Sequence, residues 1–176
     1  MILLRHAESE FNVVYNISGV DPGIEDPKLT ERGHSQAREA VARLSDYSFD
    51  RILTSPYTRT LQTAEIVGDA LGLPITIEPE VRERSAFICD IGTPRDELAQ
   101  RWPAIDFSHI DELWWNQETE SDDSVVVRAQ RFREAAVDWP DHDRTLVITH
   151  WGFIRGLTGL SVKNCDVIPF DPSNPG

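Results

Sequence analysis

The chain opens with MILLRHAESEFN, Met1 to Asn12. Three apolar residues, Ile2 to Leu4, run directly into Arg5 and His6. A short apolar run that stops at a polar turn reads as a buried strand whose carboxyl end meets solvent. Ligands of open α/β sheets sit at such ends. Arg5 offers a rigid fork of donors suited to a phosphate or carboxylate. His6 is a candidate nucleophile or base near neutral pH. Asn12, in the loop beyond, can supply a neutral donor. Taken alone, the Arg-His pair is most simply a strand end with two solvated polar residues.

Two later stretches end in the same way. RILT, Arg51 to Thr54, is followed by Ser55, Pro56 and then Arg59. TLVIT, Thr145 to Thr149, is followed by His150, Trp151, Gly152 and Arg155. If these strands are parallel neighbours, Arg5, His6, Arg59 and His150 meet at one edge of the sheet. Two arginines and two histidines converging there form a pocket for a tetrahedral dianion.

Four stretches then point to one family. LLRHAES with Asn12, TSPYTRTLQTA at Thr54 to Ala64, and VITHWGFIR at Val147 to Arg155 resemble the three signatures of the histidine phosphatase superfamily, which includes cofactor-dependent phosphoglycerate mutases. DPKLTERGHSQA, Asp26 to Ala37, resembles that family's first crossover. The matches run from Leu3 to Arg155 in family order and cover most of the chain. The resemblance implies phosphoryl transfer through a phosphohistidine at His6, with Arg5, Arg59 and His150 holding the phosphoryl group and Asn12 assisting. It implies no metal and no cofactor. The family places a Glu in an L-R-E type motif after the third strand, and VRER at Val81 to Arg84 makes Glu83 the expected proton donor. Glu80 and Asp90 compete for that role, while Glu8 reads as structural or as part of the rim. Ala7, in place of the usual Gly, and Trp151, between His150 and Gly152, depart from the common pattern. Both bear on substrate shape.

The 176 residues fit one domain, residues 1–176, with an irregular tail from about 171. Apolar residues make up 40% and charged residues 27%, a globular balance. The net charge of −13 disfavours nucleic acid and anionic membranes as partners and leaves a local cationic funnel around Arg5 and Arg59 as the expected exception. Cys89 and Cys165 form no metal spacing and read as free thiols. The apolar start is too short for a leader, and no run approaches a membrane span. A cytoplasmic enzyme acting on a small-molecule phosphate ester follows; the oligomeric state is not legible.

The expected architecture is a three-layer α/β/α sandwich on a mostly parallel sheet. Val13 to Lys28 reads as a loop flanking the pocket. A helix starts at Thr30 and another at Ser55-Pro56, with Ser as its cap and Pro at its first position. PITIE, Pro74 to Glu78, reads as strand three. Thr93-Pro94 opens a helix, and a long helix runs from about Ser124 to Trp139. Strand four spans Leu146 to Thr149, a helix follows Gly152 to about Leu160, and Val167 to Phe170 is a possible edge strand. His34, His109 and His142 read as surface or structural. Trp114-Trp115 reads as packing, with a lid over the pocket as the alternative.

A phosphomonoester phosphatase is the preferred activity. ERSAFICD at Glu83 to Asp90 lacks the Tyr and Gly of the mutases' E-R-x-Y-G-x-L segment, so a phosphoglycerate-mutase-type transferase ranks second. A non-catalytic phospho-ligand binding module and a metal hydrolase built on His6 and His150 rank below these.

Overall fold

The computed structural model describes residues 1–174. Five strands form one sheet in the order β3-β2-β4-β1-β5. They are β1 (Ile2–Arg5), β2 (Arg51–Thr54), β3 (Ile75–Ile77), β4 (Thr145–Thr149) and β5 (Val167–Pro169). The first four are mutually parallel, with Arg5 opposite Thr149 and Thr54 opposite Ile148. β5 runs antiparallel along the outer edge of β1, where Pro169 needs no donor for a further ladder.

The strand residues alternate between two cores, as a pleated sheet covered on both faces requires. Ile2, Leu4, Ile52, Leu146 and Ile148 pack under α2 (Glu31–Leu44) and α3 (Thr58–Leu71), against Ala37, Ala40, Ala64 and Val67. Leu3, Leu53 and Val147 face the other way, onto Ala129, Phe132, Phe153 and Ile154 of α5 (Asp122–Val137) and α6 (Trp151–Thr158). This is the α/β/α arrangement expected of alternating strand and helix signals. Thr30 caps α2, its hydroxyl accepting from Gly33 N at 2.9 Å. A short helix, α4 (Arg95–Arg101), begins after Pro94 as expected.

Two local expectations are corrected. The stretch read as a loop, Val13 to Lys28, begins inside α1, Glu10–Ser18, which is capped by Ser9 and closed by Gly19 in the left-handed conformation at φ 67°. Val13, Val14 and Ile17 are β-branched and Asn12 and Asn16 are poor helix formers, so intrinsic propensity conceals this helix. Its start is fixed instead by Asn12 Oδ1, which accepts from Ser9 N and Ser9 Oγ at 3.1 and 3.2 Å. The helix after β2 begins at Thr58 with Tyr57 as its cap, not at Ser55-Pro56, because Tyr57 is extended at ψ 141°. Trp114 and Trp115 pack as expected, and the lid alternative falls away. Both are buried, and Trp114 stacks edge-on against Tyr57 at 4.6 Å in a cluster with Leu61, Leu98 and Phe107 beyond β3.

Candidate functional site

The carboxyl ends of β1, β4 and β2 lie side by side, with β4 in the middle. His6 N donates to Thr149 O at 2.9 Å, which locks the first strand exit against the second. The imidazoles of His6 and His150 therefore face each other with ring centroids 5.1 Å apart. Arg5 ends β1, and Arg59 lies in the first turn of α3. Arg5, His6, Asn12, Arg59 and Glu83 line one cavity of about 300 Å³. His150 is fully buried at its base against His6. All six residues singled out in the sequence are thus brought together.

Each is held in a specific state. His6 Nδ1 lies 2.7 Å from Ala7 O. A carbonyl only accepts, so Nδ1 carries the proton and Nε2 keeps its lone pair. Burial, then the Arg59 and Arg5 charges, push the His6 pKa well below 6.5, so the ring is neutral at pH 7. His150 is likewise lowered, by burial first and then by Arg59, His6 and Arg5. Its Nε2 meets Ser55 Oγ at 2.8 Å, and its buried Nδ1 has no partner among the described residues.

Arg5 is anchored through Nη1 to Val162 O at 2.8 Å, while its buried Nε is unpartnered among the described residues. Arg59 donates to Cys89 O at 3.0 Å and Asp90 Oδ1 at 3.2 Å, and its guanidinium sits 4.2 Å over the Tyr57 ring. Two of its five N–H groups are thereby used, leaving the rest for a ligand. Asn12 Oδ1 is occupied by Ser9 and by Asn164 Nδ2 at 3.1 Å, so its amide N–H₂ is its free end. Ala7, the departure after His6, has no positive φ and accommodates its methyl in the core.

Glu83 sits across the cavity. Its Oε1 accepts from Arg84 N at 2.9 Å and from Gly152 N, at the start of α6, at 2.8 Å. Burial, and next the charge of Asp90, raise its pKa; the Arg84 N–H and the two arginines oppose that rise. A Cβ at Gly152 would overlap Glu83 Oε1, so this close approach requires glycine. Of the competing carboxylates, Asp90 is buried and bound to Arg59, whereas Glu80 pairs with Arg82 and Arg131 outside the cavity. Glu8 is structural: it accepts from Thr30 Oγ1 at 2.9 Å and pairs with Arg32.

Sequence reasoning missed Ser55, which it read as a helix cap, and also Asp90 as a partner of Arg59, Asn164 and Arg128. Arg128 is fully buried, paired with Glu120 at 2.7 Å, and donates to Glu80 O and Arg82 O at 2.7 and 2.9 Å, which pins the segment carrying Glu83. The available signal was its place three residues after Val125 on the apolar face of α5. An open groove of about 720 Å³ beside α5 holds Arg82, Arg128 and Arg131, but the buried cation there is already saturated by Glu120.

The model of the histidine phosphatase superfamily, branch 1, matches residues 1–166. The chain belongs to that superfamily. Among curated relatives, the uncharacterized phosphatase PhoE of Bacillus subtilis is 31% identical over 157 residues, spanning 88% of this chain and 73% of that protein. The probable phosphoglycerate mutase GpmB of Photorhabdus laumondii is 30% identical over 193 residues, spanning 96% and 83%. Among solved structures, Bacillus stearothermophilus YhfR superposes with a TM-score of 0.62 at 28% identity, covering 90% of this chain and 77% of that one. A mycobacterial glucosyl-3-phosphoglycerate phosphatase shares the fold with a TM-score of 0.64 at 20% identity, covering 95% and 87%. Superfamily relatives thus include proteins named phosphatases and mutases.

Proposed function

We propose that this superfamily member is a metal-independent phosphomonoester hydrolase working through phosphohistidine at His6. The observation that carries the reading is the tautomer of His6: its proton is held by Ala7 O, so the free lone pair on Nε2 is the one available to phosphorus. Nε2 attacks phosphorus, and the bond from phosphorus to the leaving oxygen breaks. Glu83, whose burial and neighbouring Asp90 favour the protonated form, passes a proton to that oxygen and the alcohol departs. Water then gives a proton to the Glu83 carboxylate and attacks the phosphohistidine. The phosphorus–nitrogen bond breaks, inorganic phosphate leaves and His6 is restored. Arg5, Arg59, His150 Nδ1–H and the Asn12 amide face the charge that develops on the equatorial oxygens. No step calls for a cofactor.

The names of several relatives favour a second reading, a phosphoglycerate-mutase-type transferase. A bisphosphate or phosphoglycerate needs a cation for its second anionic group. Arg84, the further cation lining the cavity, is engaged by Glu120 O at 3.0 Å and by Asp122 at 2.6 Å, which supports the hydrolase. The test is a panel of phosphate esters on wild type and His6→Ala, with trapping of the phosphoenzyme. Release of inorganic phosphate that vanishes in His6→Ala is expected. Isomerised phosphoglycerate without free phosphate would establish the mutase. Phosphate binding without turnover would reduce the chain to a binding module.

A further inference from the structure

The outer half of the cavity differs chemically from its cationic base. Phe11 and Tyr15 of α1 stack at 5.0 Å with an interplanar angle of 16°, and Phe87 closes on both at 5.5 and 5.1 Å. These three rings line the cavity, as does Trp151. Trp151 is held by its indole N–H on Ser161 Oγ at 3.2 Å and by Arg155 at 5.1 Å from its ring. The backbone that carries Phe87 is anchored. Its N–H and that of Ala86 donate to Asp90 Oδ2 at 3.0 Å, and Asp90 Oδ1 takes the Arg59 guanidinium. One buried carboxylate thus ties the aromatic wall to the arginine at the cavity base.

We infer that the wall formed by Phe11, Tyr15 and Phe87, in the cavity that Trp151 also lines, is a leaving-group subsite for an uncharged aromatic alcohol, so that the substrates are small aryl or arylmethyl phosphates. The inference rests on the phosphatase reading above. A planar ring gains both apolar burial and ring–ring contact at such a wall. A carboxylate in the same place would be desolvated against aromatic faces, with Arg84 already paired.

Benzyl and propyl phosphate make the test, because their leaving alcohols have nearly equal acidity and chemical reactivity cancels. In wild type, kcat/KM for the benzyl ester exceeds that for the propyl ester by roughly tenfold or more, the worth of one buried ring. Phe87→Ala and Tyr15→Ala each bring that ratio toward one. Phe87 is 40% exposed, so its truncation leaves the cores intact, which a thermal melt checks. A wild-type ratio near one, a ratio untouched by both variants, or 3-phosphoglycerate outrunning benzyl phosphate overturns the subsite. If no ester turns over, the phosphatase reading falls and calorimetric binding of benzylphosphonate against propylphosphonate decides the subsite alone. Roughly tenfold tighter benzyl binding upholds it, and equal binding sinks it.

Discussion

The hydroxyl of Ser55 lies 2.8 Å from His150 Nε2, and both residues are fully buried. Tyr57 N donates to the same hydroxyl at 3.4 Å, and we assign the Ser55 O–H as donor to Nε2. That assignment puts the His150 proton on Nδ1, the ring atom left without a partner among the described residues. A neutral imidazole then donates to a phosphoryl oxygen without carrying a charge into a buried arginine pair. Ser55→Ala frees the ring to adopt the other tautomer. The expected loss is about tenfold in kcat, the scale of one neutral hydrogen bond. Nitrogen-15 spectra of the His150 ring read the tautomer directly. An unchanged tautomer accompanied by full activity would remove Ser55 from the mechanism.

Acid and base assignments set the pH profile. His6 must be neutral, and its pKa is lowered by burial, Arg59 and Arg5, so activity falls only on the acid side of the usual histidine range. Glu83 must be protonated, and its pKa is raised by burial and Asp90, so activity falls as pH rises through that raised value. The kcat/KM profile is a bell between the two. Glu83→Gln removes the alkaline limb and costs on the order of a hundredfold with an alkyl ester, but little with a nitrophenyl ester, whose leaving group needs no proton. Asp90→Asn removes the second cause of the rise and moves the alkaline limb to lower pH. An alkaline limb that survives Glu83→Gln would assign the acid elsewhere.

Gly152 reports on the same carboxylate from the opposite side. Its N–H holds Glu83 Oε1 at 2.8 Å, and an added methyl would occupy the space of that oxygen. Gly152→Ala is expected to displace Glu83 and to cost about 1–3 kcal/mol of stability, the usual range for overpacking. Activity on alkyl esters should fall further than on nitrophenyl esters, because the displaced group is the proton donor. A variant with a normal melting temperature and an unchanged ester ratio would show that the contact is slack.

How much of this was legible depended on where each residue's partner lies in the sequence. Arg5, His6, Arg59 and His150 follow short apolar runs, and strand ends of one parallel sheet have nowhere else to converge. Their gathering therefore follows from local pattern and topology. Helix α1 was hidden because its β-branched residues argue against helix, while the contacts that fix it, Asn12 with Asn164 and Phe11 with Phe87, reach 152 and 76 residues away. Ser55 looked like a cap because a Ser-Pro pair usually is one. Its real partner, His150, is 95 residues on. The aromatic wall likewise joins two segments, neither of which carries a recognisable pattern alone.

Arg128 makes the same point in terms of stability. Its side chain is 1% exposed and that of Glu120 is 5% exposed, so the pair sits out of water. Both nitrogens of the fork on that side are matched by both Glu120 oxygens, at 3.0 and 2.7 Å. Removing one partner leaves the other as an uncompensated buried charge, so Glu120→Gln is expected to cost about 3 kcal/mol in denaturant melts. Arg128→Leu with Glu120→Leu removes both charges and should recover part of that loss. Recovery is incomplete because Glu80 O and Arg82 O lose their donor. Those carbonyls flank Glu83, so the double variant is expected to stay folded yet hydrolyse alkyl esters more slowly than nitrophenyl esters. If instead it melts like wild type and keeps the wild-type ester ratio, the pair neither stabilises the chain nor positions its acid.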